Sequence, residues 1–566
     1  MKRRTQTIFT LMLAALLLLT ACQSAPVQTE TPAAPAAPAQ QTQSASAEEP
    51  AASPAQTAPE AEPAAEETAA PAAEPAAEPI AESDKKDVVL PKTPFVNPLV
   101  TDNYCGDPAI LVDGDTVYLY VGHDAAKVED TGYVMPDYLC YSSKDLQNWT
   151  YEGVALSLIN GDVTWADRNS AWASQVEKYN NKYYLYFCSW DKTSEGKQSI
   201  GVAVSDSPVG PFVDLGEPLV RGTATEPETS GWNDIDPTVW IETDESGVEH
   251  RYLAWGNGLF YVCELNEDMV SVKDRNGDGK ITCGGIGSGA DIINQQTGLN
   301  NFTEAPWLYR RTDRNGKAYG PYYLFYAYGW REEMAYATTD SLMDGTWTFG
   351  KILMPPTATS NTNHMAVFDY KGETYFVYHN GSLPAGHGFR RSPCITEVDF
   401  EDDGSLEVIP ETAAGPWGET VEITQGDDGI LTHWLLRNSS SDGNYPYLDV
   451  ELAMEEEDDE RNSEWVLCRG KFNPERDSYL SIQSENKPGL YITAQADGML
   501  VLAQDADLTL DTAKAQTFRS VAALDGSDGA SFESVSQPKT FITVVKGELK
   551  LTDGSDAAAA SFEIDD

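Results

Sequence analysis

Asp107 in YCGDPAILVDG, Asp236 in NDIDPTVWIET and Glu304 in FTEAPWLYRR are the acids in this chain best placed to do chemistry. Each stands in an apolar or Gly/Pro-bounded setting, with a proline at once or one residue later and a strand-like apolar run after it. A carboxylate is rarely buried without a partner, so Phe302, Ala305, Pro306, Trp307, Leu308 and Tyr309 are poor company for a structural Glu304. Taken singly, any of the three could open a turn or cap a loop. Three acids with one placement in different parts of the chain suit acetal hydrolysis instead. That reaction needs one protonated carboxyl to give its proton to the leaving oxygen, and one ionised carboxylate to activate water or attack carbon. Apolar walls and a neighbouring Asp would raise the pKa of Glu304 and fit it for the acid's part.

The elements that must position these acids announce themselves by repetition. An aromatic strand pattern recurs as VYLYVG (117 to 122), YYLYFCSW (183 to 190), YLAWGN (252 to 257), YYLFYAYG (322 to 329) and YFVYHN (375 to 380). A second echo, of strand end, Ser/Asp turn, aromatic strand and Gly stop, follows in SSKDLQNWTYEG, VSDSPVGPFVDLG and TTDSLMDGTWTFG. Five units of short strands with little amphipathic helix predict an all-β chain whose residues 91–415 form a five-bladed β-propeller. A two-sheet sandwich is the alternative and leaves the five repeats unexplained. In a propeller the first strand of each blade lines the central channel, so acids from blades one, three and four would converge on one mouth. Beyond Gly415 the repeat stops, and SIQSENKPGLYIT (481 to 493) matches SFESVSQPKTFIT (531 to 543) at an offset of 50 residues. Residues 425–566 therefore read as a β-trefoil-like domain, its third unit either degenerate around 430–475 or absent.

Composition bounds the partners. A formal net charge of −51, with 38 basic against 89 acidic residues, leaves no Lys/Arg cluster for a phosphate backbone and excludes nucleic acid. Residues 1–22 combine basic residues, a short apolar run and Leu19-Thr20-Ala21-Cys22, the order of a secretory signal. That ending resembles the lipobox of bacterial lipoproteins, which would make Cys22 the lipid-bearing residue of an exported, cell-surface protein. A plain signal peptide with an incidental Cys is the alternative. Residues 23–90 are dominated by Ala, Pro, Glu, Gln, Ser and Thr and predict a disordered spacer. The other seven cysteines lie mostly in strand-like runs and read as small buried hydrophobes, with a disulfide left open.

The motifs GDPAI, IDPTV, TEAPWLYRR, NHMAVFDYKGETYFVYHN and FRRSPCITEVDFEDDGS, spread over roughly residues 95–412, resemble glycoside hydrolase family 43. The resemblance implies a five-bladed propeller that inverts at the anomeric carbon, with Asp107 as general base, Glu304 as general acid and Asp236 tuning and positioning that acid. By the same resemblance Trp172, His364 and Arg391 would contact the sugar. The open alternatives are a satisfied channel histidine for His364 and a rim ion pair for Arg391. Ser174 and Gln175 replace the Pro and acid that many members carry after the blade-two Trp-Ala, which bears on subsite contacts rather than on the triad. No cofactor is implied. Calcium is the one ion considered, because Asp274, Asn276 and Asp278 in DRNGDGKIT resemble the first half of an EF-hand loop, although Gly285 stands where the bidentate Glu belongs. The C-terminal repeat resembles arabinofuranose-binding β-trefoils; with no His after His433, packing rather than sugar binding is an equal reading. The expected activity is that of an inverting α-L-arabinofuranosidase on arabinan or arabinoxylan side chains, acting as a monomer on plant cell-wall polysaccharide. A β-1,4-xylosidase, an endo-arabinanase and a non-catalytic glycan-binding lipoprotein are the alternatives.

Overall fold

The five aromatic repeats become the second strands of five sheets, antiparallel but for one short parallel pair in the third, in the computed structural model, which describes residues 80–565 except 195, 226–230, 245, 286–291, 314–315, 330, 344, 358–359, 361, 427–428, 437–448, 456–460 and 505–508. Blade I runs in order through Cys105–Asp113, Thr116–His123, Asp137–Ser143 and Thr150–Ser157. Blade II uses Ser174–Tyr179, Lys182–Asp191, Lys197–Ser205 and Val213–Asp214, and blade IV uses Phe302–Tyr309, Tyr322–Tyr328, Glu333–Thr339 and Thr348–Met354. Blade III pairs Thr238–Thr243, Glu249–Trp255 and Tyr261–Glu264 and adds the short strands Ile293–Gln295 and Cys283–Gly285. Blade V has three strands, Ala366–Tyr370, Glu373–Asn380 and Ser392–Glu397.

The second strands are aromatic because they are covered on both faces. Their residues divide among apolar clusters that join blade I to blade II, II to III, III to IV, and IV to V and I. Aromatic and β-branched residues fill such inter-sheet layers with the largest apolar area per residue. The ring closes through the segment before blade I. Asn97 donates to the carbonyls of Ile395 (3.0 Å) and Thr412 (2.8 Å) and accepts from the Ile395 N–H, while the Leu99 N–H bonds to the Pro393 carbonyl at 2.7 Å. This segment supplies the outer edge that the three-stranded blade lacks.

The C-terminal domain is one sheet of twelve strands. Two four-strand units, Trp465–Arg469 to Leu500–Gln504 and Phe518–Ala522 to Glu548–Thr552, carry the visible sequence repeat. The third unit exists: Glu422–Gln425, Gly429–Leu436 and Asp449–Glu455 are completed by Glu563–Asp565, which pairs antiparallel with Glu422–Gln425. Its split between the two ends of the domain hid it from a search for contiguous repeats. Propeller and trefoil belong to one compact unit covering residues 77–566. Glu485 accepts from the Ala414 N–H (2.8 Å) and the Thr412 hydroxyl (2.5 Å), and Gln504 Nε2 donates to the carbonyls of Gly381 (2.7 Å) and Leu383 (3.0 Å).

Residues 80–90 correct the spacer boundary. They lie along the trefoil, with the Val88 N–H on the Ser520 carbonyl (3.0 Å) and the Ala522 N–H on the Lys86 carbonyl (2.9 Å). The acids that made this stretch look like spacer are its anchors: Asp87 accepts from Arg519 Nε at 2.6 Å, and Glu82 pairs with Arg476. All described cysteines are free thiols, buried except the half-buried Cys283.

Candidate active site

Three kinks aim the carboxylates. In blade I the register between the first two strands slips between Gly106 and Ala109, and Asp107 has φ 53°. In blade IV it slips on both sides of Glu304, and Ala305 has φ 54°. Asp236 stands two residues ahead of the blade III inner strand with φ 60°. A left-handed backbone costs a non-glycine residue on the order of 1 kcal/mol. Such irregularities re-aim side chains at the ends of strands, and each of these left-handed residues immediately precedes a proline. Asp107, Asp236 and Glu304 thereby line one pocket of about 420 Å³, a volume that includes its open mouth.

Asp107 is gripped from behind. Arg391 Nη1 and Nη2 donate to its two carboxylate oxygens at 2.6 and 3.1 Å, and Nε and Nη2 of the same guanidinium donate to Asp124 at 2.9 Å each. Its backbone N–H donates to His379 Nδ1 at 3.1 Å, and His379 Nε2 faces the Thr362 carbonyl at 2.8 Å, so the imidazole carries its proton on Nε2. Burial pushes the Asp107 carboxyl up, but the Arg391 guanidinium outweighs it and holds the group below its ordinary value. His364 and His379 are pushed down by burial to about 4 and about 3, so both are neutral near neutral pH and the guanidinium supplies the charge. Glycine at 106 makes room for this grip, since a Cβ there would lie 2.2 Å from Arg391 Cζ.

Glu304 is in the opposite state. It is half-buried at the floor of the pocket, and burial first, then the charge of Asp107, raise its carboxyl to about 7 even though Asn257 Nδ2 donates to Oε2 at 2.6 Å. Asp236 is raised well above its ordinary value, by burial and then by Glu304 and Asp107. Its Oδ2 accepts the N–H of Ala305 at 2.9 Å, which ties the blade III loop to the kink that aims Glu304. One carboxyl held low by a guanidinium thus faces two pushed up by burial across a single cavity.

Trp172 and His364 stand in the pocket wall. Trp172 stacks on Trp232 with centroids 4.6 Å apart and planes at 16°, and Trp190 meets Trp232 edge-on at 4.9 Å. Gln175 lies outside the pocket and bridges blades II and III through both backbone groups of Val239, at 3.0 and 3.1 Å. Arg391 corrects its assignment. It lines the pocket, yet it is 2% exposed and committed to Asp107 and Asp124, so it is neither a free sugar donor nor a rim ion pair. In the Asp274 loop the Asp274 carboxylate accepts the N–H groups of Gly277 (2.7 Å) and Gly279 (2.8 Å). Among the described residues no group of three or more His, Cys, Asp or Glu has metal-holding geometry. Cys22 lies outside the described residues. Sequence reasoning missed Asp124, Trp232, Asn257, His379 and a further buried acid, Glu332. Only Trp232, four residues before Asp236, had a local signal.

Residues 95–406 match the model of Glycosyl hydrolases family 43, and residues 441–566 match that of the Alpha-L-arabinofuranosidase B (ABFB) domain. A xylosidase/arabinosidase of Bacteroides ovatus is 28% identical over 347 residues, covering 55% of this chain and 96% of that protein. An arabinoxylan arabinofuranohydrolase of Bacillus subtilis (strain 168) is 30% identical over 356 residues, covering 56% of this chain and 65% of its own length. The solved structure of an alpha-L-arabinofuranosidase from Clostridium thermocellum is 30% identical, with a TM-score of 0.42 over 54% of this chain and 93% of that one.

Proposed function

The chain belongs to glycosyl hydrolases family 43 and is a glycosidase, and from that premise we propose that it is an inverting α-L-arabinofuranosidase that removes side-chain sugars from arabinoxylan or arabinan. Glycosidases of this family need no cofactor. In the proposed mechanism Glu304 gives its proton to the glycosidic oxygen as the bond to the anomeric carbon breaks. Asp107 takes a proton from the water that attacks the opposite face, and Asp236 keeps Glu304 aimed and protonated. The observation that carries this reading is the convergence of Asp107, Asp236 and Glu304 on one pocket, with the Arg391 guanidinium on Asp107 and the Asn257 amide on Glu304. A volume of about 420 Å³ lies at the small end for ligand sites, which favours a terminal sugar over an internal stretch of chain. The arabinofuranose preference rests on the ABFB match and on the arabinofuranohydrolases among the relatives.

The test is hydrolysis of nitrophenyl α-L-arabinofuranoside, nitrophenyl β-D-xyloside and linear arabinan, with the first-formed anomer read by proton NMR. Arabinofuranoside turnover with inversion is the expected result. Preference for xyloside or arabinan transfers the assignment to those activities, and turnover of none of the three overturns it. We also propose that Cys22 anchors the exported chain to a bacterial membrane, with the Ala/Pro/Glu-rich stretch as tether, on the strength of LTAC after an apolar run. Cys22→Ala should abolish metabolic labelling with palmitate and release the protein from the membrane fraction.

A further inference from the structure

Glu332 has no part in the triad and sits directly behind it. It occupies the turn between the blade IV strands Tyr322–Tyr328 and Glu333–Thr339, is 1% exposed, and has φ 33°. Nothing about packing asks for a carboxyl there, and a left-handed non-glycine residue is held in place only when its surroundings over-determine it. Here the surroundings are Asn363, which clasps the residue at both ends. The Asn363 backbone N–H donates to Glu332 Oε2 at 2.6 Å, and Asn363 Nδ2 donates to the Glu332 carbonyl. Asn363 is itself fixed by the Thr357 hydroxyl at 2.9 Å. The clasp presents the Glu332 carboxyl to Glu304, with which it makes a side-chain hydrogen bond.

Two carboxyl groups in one hydrogen bond need at least one proton between them. The groups around the pair decide where it stays. Asp107 from blade I, Asp236 from the blade III loop and the Cys188 thiol from blade II face Glu304 or Glu332, and none carries positive charge. His364 and His379 from blade V are neutral near neutral pH, and Arg391 is committed to Asp107 and Asp124. Of the two acids, Glu332 is the deeper and is raised by burial and by Glu304, whereas Glu304 reaches the pocket and accepts from Asn257.

We propose that Glu332 is a positioning residue for Glu304: it stays a neutral acid, donates its O–H to the Glu304 carboxyl, and steadies the carboxylate that remains once Glu304 has given its proton to the leaving oxygen. The proton of Glu332 is never transferred. The proton that leaves comes from Glu304, and solvent restores it after product departs. Glu332 and Asn257 together supply two donors to the conjugate base, an arrangement that favours the charge as it develops.

This inference rests on the glycosidase reading of Glu304, so its test has a readout that does not need turnover. Glu332→Gln keeps a neutral donor and an acceptor for the Asn363 N–H; Glu332→Leu keeps the volume and removes both. The Glu304 carboxyl is followed by carbon-13 NMR titration without substrate, and kcat, KM and the alkaline limb of kcat/KM are measured on the glycoside the wild type cleaves. In the Gln variant Glu304 should titrate within half a unit of wild type and kcat should stay within threefold. In the Leu variant the Glu304 midpoint should rise by a unit or more and kcat should fall tenfold or more with little change in KM. A Leu variant with wild-type midpoint and kcat overturns the proposal, as does a Gln variant as impaired as Leu. If the Leu variant does not fold, the Glu304 midpoint of the Gln variant decides alone, and a shift beyond half a unit overturns the proposal. A wild type that cleaves no glycoside sinks the functional reading while the titration still judges the contact.

Discussion

Replacing Arg391 with methionine should move the acid limb of the enzyme's pH profile up by several units. The guanidinium contacts Asp107 at 2.6 and 3.1 Å, which puts the charge centres about 4 Å apart. At the effective dielectric of about 20 suited to protein sites, that attraction amounts to about 4 kcal/mol, or about 3 pK units. The sign follows from the charge: Arg391 favours the ionised form and lowers the folded-state pKa of Asp107, so its loss raises that pKa above the ordinary carboxylate value, where burial alone would hold it. Asp124, left buried without its cation, opposes ionisation further. By the proposed mechanism productive free enzyme needs Asp107 ionised and Glu304 protonated, a window bounded below by the lowered Asp107 carboxyl and above by Glu304 at about 7. In the variant kcat/KM on the acid side falls about tenfold for each pK unit by which the limb rises, and it climbs toward neutrality. The assay is kcat/KM from pH 4 to 9 on the nitrophenyl glycoside cleaved by the wild type, with Arg391→Lys as the charge-retaining control. Breaking a buried ion pair also costs about 3 to 5 kcal/mol of stability, so thermal denaturation accompanies each variant. A folded Arg391→Met enzyme whose acid limb stays below pH 4.5 refutes the reasoning.

Glu304→Gln should lower kcat/KM on natural side chains by about a hundred- to ten-thousandfold and remove the alkaline limb near pH 7, with a smaller loss on nitrophenyl substrates, whose leaving group needs less protonation; initial rates across pH measure both. Gly106→Ala should disable the base without touching it, because the new Cβ would meet Arg391 Cζ at 2.2 Å and Nε at 2.3 Å. Its signature is an acid limb shifted as in Arg391→Met, measured by the same pH series. Arg519→Ala should leave the buried Glu533 carboxylate without its cation, held only by the Ser83 and Lys539 donors, and cut the tie to Asp87, destabilising the trefoil by about 1.5 to 3 kcal/mol, read as a lower unfolding midpoint and faster proteolysis within residues 80–90.

The propeller was legible because its evidence is local and repeated. Each blade needs one strand covered on both faces, so each writes the same aromatic run, and Tyr118, Tyr184, Tyr252, Tyr323 and Phe376 all fall in second strands. Asp107, Asp236 and Glu304 were legible for a related reason, since an acid before an apolar strand is an anomaly visible within ten residues. The third trefoil unit was not, because its strands come from residues 422–455 and 563–565 and become a unit only on pairing. Residues 80–90 misled because the same acids that mark a solvated spacer can equally bind Arg476 and Arg519.

What the sequence by itself determined is which side chains carry the chemistry and that five similar units would present them on one channel. What only the tertiary structure decided is the protonation state of each. Asp107 and Glu304 are both carboxyls of the same pocket, and nothing adjacent in the chain distinguishes a base from an acid. The difference comes from Arg391, 284 residues from Asp107, and from Asn257 and Glu332 around Glu304, groups that meet only when the ring of blades closes. Electrostatic energy depends on distances of a few ångströms through space, and a chain fixes those distances only by folding.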